Sequence, residues 1–330
     1  MEKPANLVAN NVSRARHAIF GAIIGDALGT TFEFSRSDDA RKIIIKHNNF
    51  KNGLIGLGPF GLVPGQFTDD TEMSLAIMSV IFNNGSYDQK LVSKAYHSWY
   101  LSNPFDMGQT TRIAVSQKSV SDMLNASAKY SKESLSNGFL MRLFGLVGLY
   151  YNKTKQELVN AIVQDVMLTH SHPEAVHIGI IYGLMLHGAI QGMNTNQIYL
   201  WGKNNCTASP LITSIYEAVD NDRNSFMYNG TKYVLAQIDS EMIGFVGYAF
   251  WLLLRSLKYF SSYEKAMLDI VGRGGDTDTN ACIVGAVMGA LYPDTIPKSW
   301  IKSVLTFDAK SRFQFYPMAN PKVWAKWLPL

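Results

Sequence analysis

The sequence is poor in charge. Asp, Glu, Lys and Arg make up 17% of its 330 residues, against about 25% in an average domain. The 30 basic and 26 acidic residues leave a net charge of only +4, which gives no case for a polybasic surface that binds nucleic acid or an anionic membrane. Because 47% of the residues are apolar, the chain is not a disordered protein and must bury a large core.

Cysteine and long apolar runs are also scarce. The two cysteines, Cys206 and Cys282, are too few for a disulfide framework and favour a reducing compartment. The longest apolar run covers 13 residues, 242–254, and is shorter than the roughly 20 residues that span a bilayer. The first ten residues lack the apolar segment of a signal peptide. We therefore expect a soluble, cytoplasmic monomer.

Strand patterns are rare, and most of the chain predicts helix. The clearest helices are apolar nearly all round, which is typical of buried helices; they cover residues 16–28, 71–82, 140–150, 158–167, 175–190, 243–257 and 281–291. One strand-like stretch at 42–46 precedes an irregular loop at 53–65. With no linker or repeat, we predict an all-α fold: one compact, many-helix orthogonal bundle over residues 1–330, with 293–330 as an ordered strap.

Glycines recur at helical spacing in two of these segments. Gly21, Gly25 and Gly29 follow one another every four residues, as do Gly285 and Gly289. A glycine in a helix interior costs about 1 kcal/mol relative to alanine. The pattern therefore predicts that two helix backbones approach closely along these faces.

Acidic residues cluster where two helices are about to begin. The first cluster precedes an apolar run at 73, and the second precedes the run 281–291; the candidate residues are Thr68, Asp69, Asp70, Asp276, Asp278 and Thr279. Such residues are common helix N-caps, but one cap needs only one of them. Four carboxylates would also balance two divalent cations, and an all-oxygen set suits Mg²⁺, Mn²⁺ or Ca²⁺ rather than Zn²⁺. Spacing alone leaves both interpretations open.

Three further acids and several histidines are candidates. Asp26 lies among apolar residues, and we expect it to bond a backbone N–H without a catalytic role, whereas Glu33 follows the helix end and is freer to enter a cleft. Asp106 precedes another helix and, taken alone, would be interpreted as a cap. His170 and its neighbouring histidines lack the His-Glu-x-x-His spacing of a zinc site.

Taken together and in this order, the motifs resemble those of the ADP-ribosylglycohydrolase family, more closely its dinitrogenase-reductase-activating and arginine-directed branches. The resemblance covers residues 14–292. It is carried by Gly25-Asp26-Ala27-Leu28-Gly29 with Glu33, Gly65 to Met73, Asp106-Met107-Gly108 with Thr110-Thr111, Ser136-Asn137-Gly138 with Met141-Arg142, Thr169-His170, and Gly274 to Ala290. Met107 stands where the family often has isoleucine.

The resemblance implies a many-helix fold around a central cleft that holds two Mg²⁺ or Mn²⁺ ions. It implies that Thr68, Asp69 and Asp70 ligate metal from one side, and Asp276, Asp278 and Thr279 from the other. It also implies catalytic roles for Glu33 and Asp106, without deciding which is the general base. Residues that hold the ribose and phosphates would be Asn137, Gly138 and His170, and the turn Gly274-Gly275 is assigned to the same substrate site.

From this resemblance we expect a metal-dependent hydrolase that cleaves the glycosidic bond between ADP-ribose and a modified side chain, with arginine as the expected acceptor. Its partner would be an ADP-ribosylated protein or a small molecule that carries ADP-ribose. One alternative is a catalytically silent relative that binds ADP-ribose or serves a structural role. Another is a two-metal phosphoesterase, which would cleave at phosphorus instead. The sequence does not identify the acceptor.

Overall fold

A computed structural model describes residues 5–240 and 242–330 of the chain. Most of this part is helical, as expected for an all-α fold. The α-helices of the described residues are α1 Ala5–Gly29, α2 Ser37–Lys46, α3 Asp69–Asn84, α4 Gln89–Leu101, α5 Gln109–Val115, α6 Val120–Tyr130, α7 Leu143–Leu149, α8 Lys155–Met167, α9 Pro173–Ile190, α10 Thr195–Asn205, α11 Pro210–Asp220, α12 Val246–Tyr259, α13 Tyr263–Val271, α14 Thr277–Leu291, α15 Lys298–Thr306, α16 Lys310–Phe315 and α17 Pro321–Trp324.

Short 3₁₀ helices connect several of these elements. They cover Asn48–Phe50, Asn137–Phe139, Leu235–Gln237, Pro293–Thr295, Pro317–Ala319 and Ala325–Trp327. The loop expected at 53–65 is irregular, with one isolated bridge between Leu57 and Leu62. Within the described residues, no helix combines the length and apolarity needed to cross a membrane.

The chain also forms a small β-hairpin that the sequence analysis did not predict. Strand β1 (Ser225–Tyr228) pairs antiparallel with β2 (Thr231–Val234). Asn229 and Gly230 join them, and both have positive φ, 47° and 77°, as a two-residue hairpin turn requires. The Asn-Gly pair between aromatic residues was the signal for this hairpin.

The strand-like interpretation of residues 42–46 is wrong, because this stretch is the end of helix α2. Ile43 and Ile44 pack against the core, whereas Ile45 is 77% exposed. The three consecutive isoleucines favour a strand by propensity, but they fall on a short amphipathic helix whose buried face decides the structure.

Helices α1 and α14 cross at the centre of the fold with their backbones in contact. A Cβ added at Gly21 would lie 2.2 Å from the carbonyl oxygen of Gly285, and one at Gly25 would lie 2.2 Å from that of Ala281. No side chain fits at such a distance, so glycine is required on this face. The predicted close approach of two glycine-bearing helices is confirmed.

Other helices enclose this central pair. Helices α9, α12 and α13 pack on α14, and α7 and α9 pack on α1. Helix α12 begins at Val246, later than the expected residue 243, and Met242 before it is 59% exposed. The segment after Pro293 forms α15–α17 and packs on α1 and α3.

Candidate functional site

Helix α3 is capped at its N-terminus by a carboxylate from another helix. Its N-cap residue, Thr68, makes no capping bond with its own side chain. The carboxylate of Asp26, in the last turn of α1, instead accepts hydrogen bonds from the backbone N–H of Thr68 (2.9 Å) and of Thr71 (3.0 Å), and from the Thr71 hydroxyl (2.6 Å). Asp26 therefore bonds backbone N–H groups, as we expected, and fixes the start of α3.

Helix α14 is capped in the same way by Glu33. Its N-cap residue, Asp276, also lacks a capping bond from its own side chain. The Oε2 atom of Glu33 accepts from the backbone N–H of Thr277 at 2.8 Å and lies 3.4 Å from the backbone N of Asp278. Because both caps come from α1 and the turn after it, the interpretation of the two acidic clusters as plain N-caps is wrong.

The two capped ends bring their acids together. Ligand atoms of Asp26, Asp70 and Asp278 all lie within 4.8 Å of one another, and so do those of Glu33, Asp276 and Asp278. Asp278 belongs to both groups, so the two carboxylate triads are adjacent. This arrangement offers two neighbouring oxygen-ligand sites for cations.

One carboxylate oxygen in the first triad lacks a hydrogen-bond partner. Asp70 is fully buried; its Oδ2 accepts from the Thr68 hydroxyl at 2.8 Å, but its Oδ1 has no partner among the described residues. An unsatisfied buried carboxylate oxygen is costly in free energy. A cation between the triads would satisfy it.

The second triad lines an acidic cleft of about 350 Å³, and Asp278 is the member of the first triad that reaches it. We call it the carboxylate cleft; its lining consists of Glu33, Phe34, Asp69, Asp106, Gly108, Gln109, Thr110, Thr111, Ser136, Asn137, Gly138, Met141, Ile243, Gly244, Asp276, Asp278 and Thr279. Of the residues that the structure describes, no Lys, Arg or His lines it. Five lining carboxyl groups without a basic partner create a site that attracts positive charge.

Burial and mutual repulsion raise the pKa values of these carboxyl groups. Burial raises the pKa of Asp26 to about 7, and burial together with the charge of Asp276 raises that of Glu33 to about 8. Asp106 is half-buried at the rim of the cleft, and burial and the charge of Asp276 raise its pKa to about 6. The pKa values of Asp69, Asp70, Asp276 and Asp278 are raised as well, first of all by burial. Without cations, several of these groups hold protons at neutral pH.

Asn137 is directed into the acidic group. Its side-chain amide donates to Asp276 Oδ2 at 2.8 Å, and its backbone N–H donates to the carbonyl of Gly244 at 2.9 Å. Both bonds are internal to the protein, so Asn137 orients Asp276 and ties its own turn to the segment before α12. Gly138 lines the cleft beside it, where an added Cβ would lie 3.0 Å from the Thr111 hydroxyl.

His170 lies behind the cleft wall rather than in it. The ring is fully buried, with Nε2 2.8 Å from the Ser136 hydroxyl and Nδ1 2.8 Å from the Thr169 hydroxyl. Burial, and to a smaller extent the charge of Arg142, hold its pKa well below the usual range, so the ring is neutral. His170 thus contacts the cleft wall through Ser136, and its Cε1 atom also lies behind Gly138, 3.8 Å from where a Cβ of that residue would be.

Gly274 and Gly275 shape the turn into α14. Both have positive φ, 71° and 79°. A Cβ at Gly274 would lie 2.2 Å from the Ser35 carbonyl oxygen, and one at Gly275 would lie 2.3 Å from that of Ile238. These glycines permit a tight turn against neighbouring backbone, and neither lines the carboxylate cleft.

The candidate residues lie close together around the cleft; they are Thr68, Asp69, Asp70, Asp276, Asp278 and Thr279 with Glu33 and Asp106, and Asn137 and Gly138 lie beside them. Their roles as metal ligands and catalytic groups stay predictions. Sequence reasoning missed three contributions: Asp26 as a member of an acidic triad, Gly244 as part of the wall, and Phe34 at the rim. Phe34 could have been found from the sequence, because it directly follows Glu33. Gly244 could not, because it meets Asn137, 107 positions earlier in the chain, through a backbone hydrogen bond.

The family model for ADP-ribosylglycohydrolase matches residues 8–320. A provisionally named ADP-ribosyl glycohydrolase of Acanthamoeba polyphaga mimivirus is 55% identical over 323 residues, covering 96% of this chain and 98% of the relative. An ADP-ribosylarginine hydrolase of Pseudomonas putida is 25% identical over 301 residues, covering 89% of this chain and 74% of the relative. A solved structure described as an ADP-ribosylglycohydrolase-related protein complex shares the fold, with a TM-score of 0.69 and 23% identity over 96% of this chain and 98% of that one.

Proposed function

Because this chain belongs to the ADP-ribosylglycohydrolase family, we propose that it hydrolyses the glycosidic bond between ADP-ribose and a protein side chain, with arginine as the acceptor and two divalent cations as cofactors. The observation that carries the proposal is the pair of adjacent carboxylate triads that share Asp278, a residue that lines the cleft. Plain structural acids have no reason to gather in such numbers around an open cleft.

The residues of the cleft fit two hard divalent cations. All candidate ligands are oxygens, the Asp70 Oδ1 atom lacks a partner among the described residues, and no basic side chain of the described chain lines the cleft. We assign the ligands to Thr68, Asp69, Asp70, Asp276, Asp278 and Thr279, with Glu33 beside them. When bound, Mg²⁺ or Mn²⁺ would fix the vicinal ribose hydroxyls and lower the pKa of a water molecule.

We assign the proton transfer to Asp106. The carbon–nitrogen bond at the ribose breaks with its electron pair leaving on the acceptor nitrogen, water adds at that carbon, and one proton of the water passes to Asp106 and on to the departing nitrogen. Asp106 is half-buried at the rim and has a raised pKa of about 6, so it can take up and release a proton near neutral pH. The Oε2 atom of Glu33, by contrast, is occupied in capping α14.

The rest of ADP-ribose has a path out of the cleft. Ser136 and Gly244 line the carboxylate cleft and also a neighbouring cavity of about 490 Å³. Aromatic residues Tyr228, Tyr233 and Phe245 line that second cavity, and such side chains suit a flat base. We place the adenosine end there, with the pyrophosphate crossing the wall at Ser136.

A panel of defined conjugates tests this function. Peptides of one sequence carrying ADP-ribose on arginine or on serine are incubated with Mn²⁺ or with chelator, and the products are identified. We expect free ADP-ribose from the arginine conjugate only with metal, and a loss of release in Asp276→Asn. The exposed residue Asp39, paired with Lys42 on the surface, provides the matched control Asp39→Asn.

Each other result speaks against a stated part of the proposal. No release with metal, or equal release by Asp276→Asn, would refute the hydrolase, and tight ADP-ribose binding without turnover would then identify a silent relative. Release that persists in chelator would refute metal dependence. AMP in place of ADP-ribose would identify a phosphoesterase, and release from serine alone would refute the arginine assignment.

A further inference from the structure

Three phenylalanine rings form a continuous cluster at the rim of the carboxylate cleft. The ring centroids of Phe34 and Phe60 are 6.3 Å apart, and those of Phe60 and Phe105 are 5.5 Å apart. We call Phe34, Phe60 and Phe105 the aromatic trio. Phe34 follows Glu33 and Phe105 precedes Asp106 in the chain, so the trio adjoins both candidate catalytic carboxyl groups.

The fold exposes these rings at a cost. Phe34 is 56% exposed and Phe105 is 37% exposed. The backbone of Phe34 has φ of 59°, the left-handed region that a bulky residue rarely adopts. It is held there because its N–H donates to the carbonyl of Gly275 at 2.9 Å. An aromatic side chain that is strained and largely exposed beside a reactive cleft indicates a contact with a ligand rather than a packing role.

The trio also leads away from the adenosine side. Phe60 and Phe105 line another cavity, of about 700 Å³. Its other lining residues include the polar Gln66, Asn103 and Ser311 and the charged Asp308, Lys310 and Arg312, of which Arg312 is paired with Glu72. The trio therefore lies between the carboxylate cleft, which Phe34 lines, and this cavity, which Phe60 and Phe105 line. If ADP-ribose extends past Ser136 toward Tyr228, the side of the cleft at the trio is left for the acceptor.

We infer that the aromatic trio and Asp106 form an acceptor subsite for the guanidinium group of an arginine in a polypeptide, with the flanking peptide in the cavity beyond. The inference rests on the function proposed above. A guanidinium is flat, cationic and weakly hydrated, so it stacks on aromatic faces and pairs with carboxylates. Asp69, Asp106 and Asp276 make the cleft side of the trio acidic. A serine linkage has neither charge nor a flat face and would gain little from these rings.

Substitutions that remove a ring but keep an apolar side chain test the subsite. Phe34→Leu and Phe60→Leu are assayed on matched arginine-linked and serine-linked ADP-ribosyl peptides. The affinity of each peptide is measured by displacement of a fluorescent ADP-ribose analogue, so that neither peptide needs to be cleaved. We expect the ratio of dissociation constants, arginine-linked over serine-linked, to rise about fivefold in the variants, which is the size of one cation–π contact. The control is Phe82→Leu, because Phe82 is 55% exposed but packs near Trp327 at the other end of α3. A wild-type ratio in both variants, or an equal rise in the dissociation constants of both peptides, would overturn the inference.

A binding assay separates this inference from the proposed function. Both conjugates are used to displace a fluorescent ADP-ribose analogue from the protein. If the wild type hydrolyses neither conjugate, the proposed function fails, but the acceptor subsite is still supported when the arginine conjugate binds more tightly and Phe60→Leu removes that difference. Equal affinity of the two conjugates for the wild type would refute the subsite whether or not hydrolysis occurs.

Discussion

A buried ion pair ties the C-terminal strap to the helix that carries the first acidic cluster. Arg312 of α16 donates from Nε to Glu72 Oε1 at 2.7 Å and from Nη2 to Glu72 Oε2 at 2.5 Å. Its Nη1 donates to the carbonyl of Ser102 at 2.8 Å, and Trp99 Nε1 donates to Glu72 Oε2 at 2.7 Å. Glu72 follows Asp70 by two residues, so this pair fixes the first turn of α3. We predict that Arg312→Ala destabilises the protein strongly.

The magnitude follows from what remains after the substitution. Glu72 is 1% exposed, and losing the partner of a buried charge costs about 3–5 kcal/mol. Burial raises the pKa of Glu72 and Arg312 lowers it. Without Arg312 the pKa rises further, and protonation of Glu72 limits the loss. When the pKa of a carboxyl group is higher in the folded state than in the unfolded state, the group stabilises the fold fully below its unfolded-state pKa, near 4.3 for Glu. This stabilisation is lost as the pH rises through the folded-state pKa. The deficit should therefore be larger at pH 8 than at pH 5.

Urea unfolding at the two pH values measures this deficit. The double variant Glu72→Met with Arg312→Met should recover most of the lost free energy, because replacing a whole buried pair by apolar residues is often neutral. Lys310→Ala is the control: Lys310 is 86% exposed, 3.7 Å from Asp308, and its loss should change stability by less than about 0.5 kcal/mol. If Arg312→Ala stays within about 1 kcal/mol of wild type at both pH values, the pair does not hold the strap as argued.

Three further results are expected. Asp106→Asn should lower kcat by roughly 10²–10⁴-fold while the affinity for ADP-ribose, measured by calorimetry, is retained. It should also remove the acid limb of the pH–rate profile, which lies at or below pH 6 when nearby cations lower the pKa of Asp106. Full activity of this variant would contradict the role of Asp106. Because the pKa of Glu33 is about 8 without metal, the metal-free protein should lose stability as pH rises toward 8. The rise in Tm on adding Mn²⁺ should therefore be greater at pH 8 than at pH 6. An equal rise at the two pH values would refute a link between deprotonation of Glu33 and metal binding. Gly21→Ala places a Cβ 2.2 Å from the carbonyl oxygen of Gly285 and should lower the free energy of unfolding in urea by more than about 2 kcal/mol. The control is Gly188→Ala, whose Cβ meets only a flexible methionine side chain and should lower it by less than about 1 kcal/mol. Similar losses in the two variants would contradict the close approach of the backbones.

Local patterns in the sequence predicted the helices and the acidic turns that precede two of them. A turn such as Thr68-Asp69-Asp70 carries its signal within four residues, and the apolar helices carry theirs over three or four turns. The glycine spacing at Gly21 and Gly25 likewise predicted a close helix contact. The hairpin at Asn229-Gly230 was also within reach of local reasoning, but its strands are only four residues long and carry little alternation.

The partners of these residues could not be predicted, because they depend on how distant segments meet. Asp26 bonds Thr68 and Thr71 across 42 and 45 positions, and Glu33 bonds Thr277 across 244. No periodicity or propensity encodes such pairings. For the same reason, the sequence could not show that His170 lies behind Ser136.

The helix α1 positions both acidic clusters, and this couples the cleft to the core. An added Cβ at Gly29 would lie 2.3 Å from the Cα of Asp278, and the neighbouring Asp26 holds the start of α3. The glycines that permit this contact each cost about 1 kcal/mol in a helix, and the gathered carboxyl groups add repulsion and desolvation. Cations that bind only the assembled cleft would offset both costs, since ligand binding to the folded state stabilises it by mass action. If the cleft holds the cations proposed above, removing them should therefore lower the stability of the α1–α14 contact as well as the hydrolase activity.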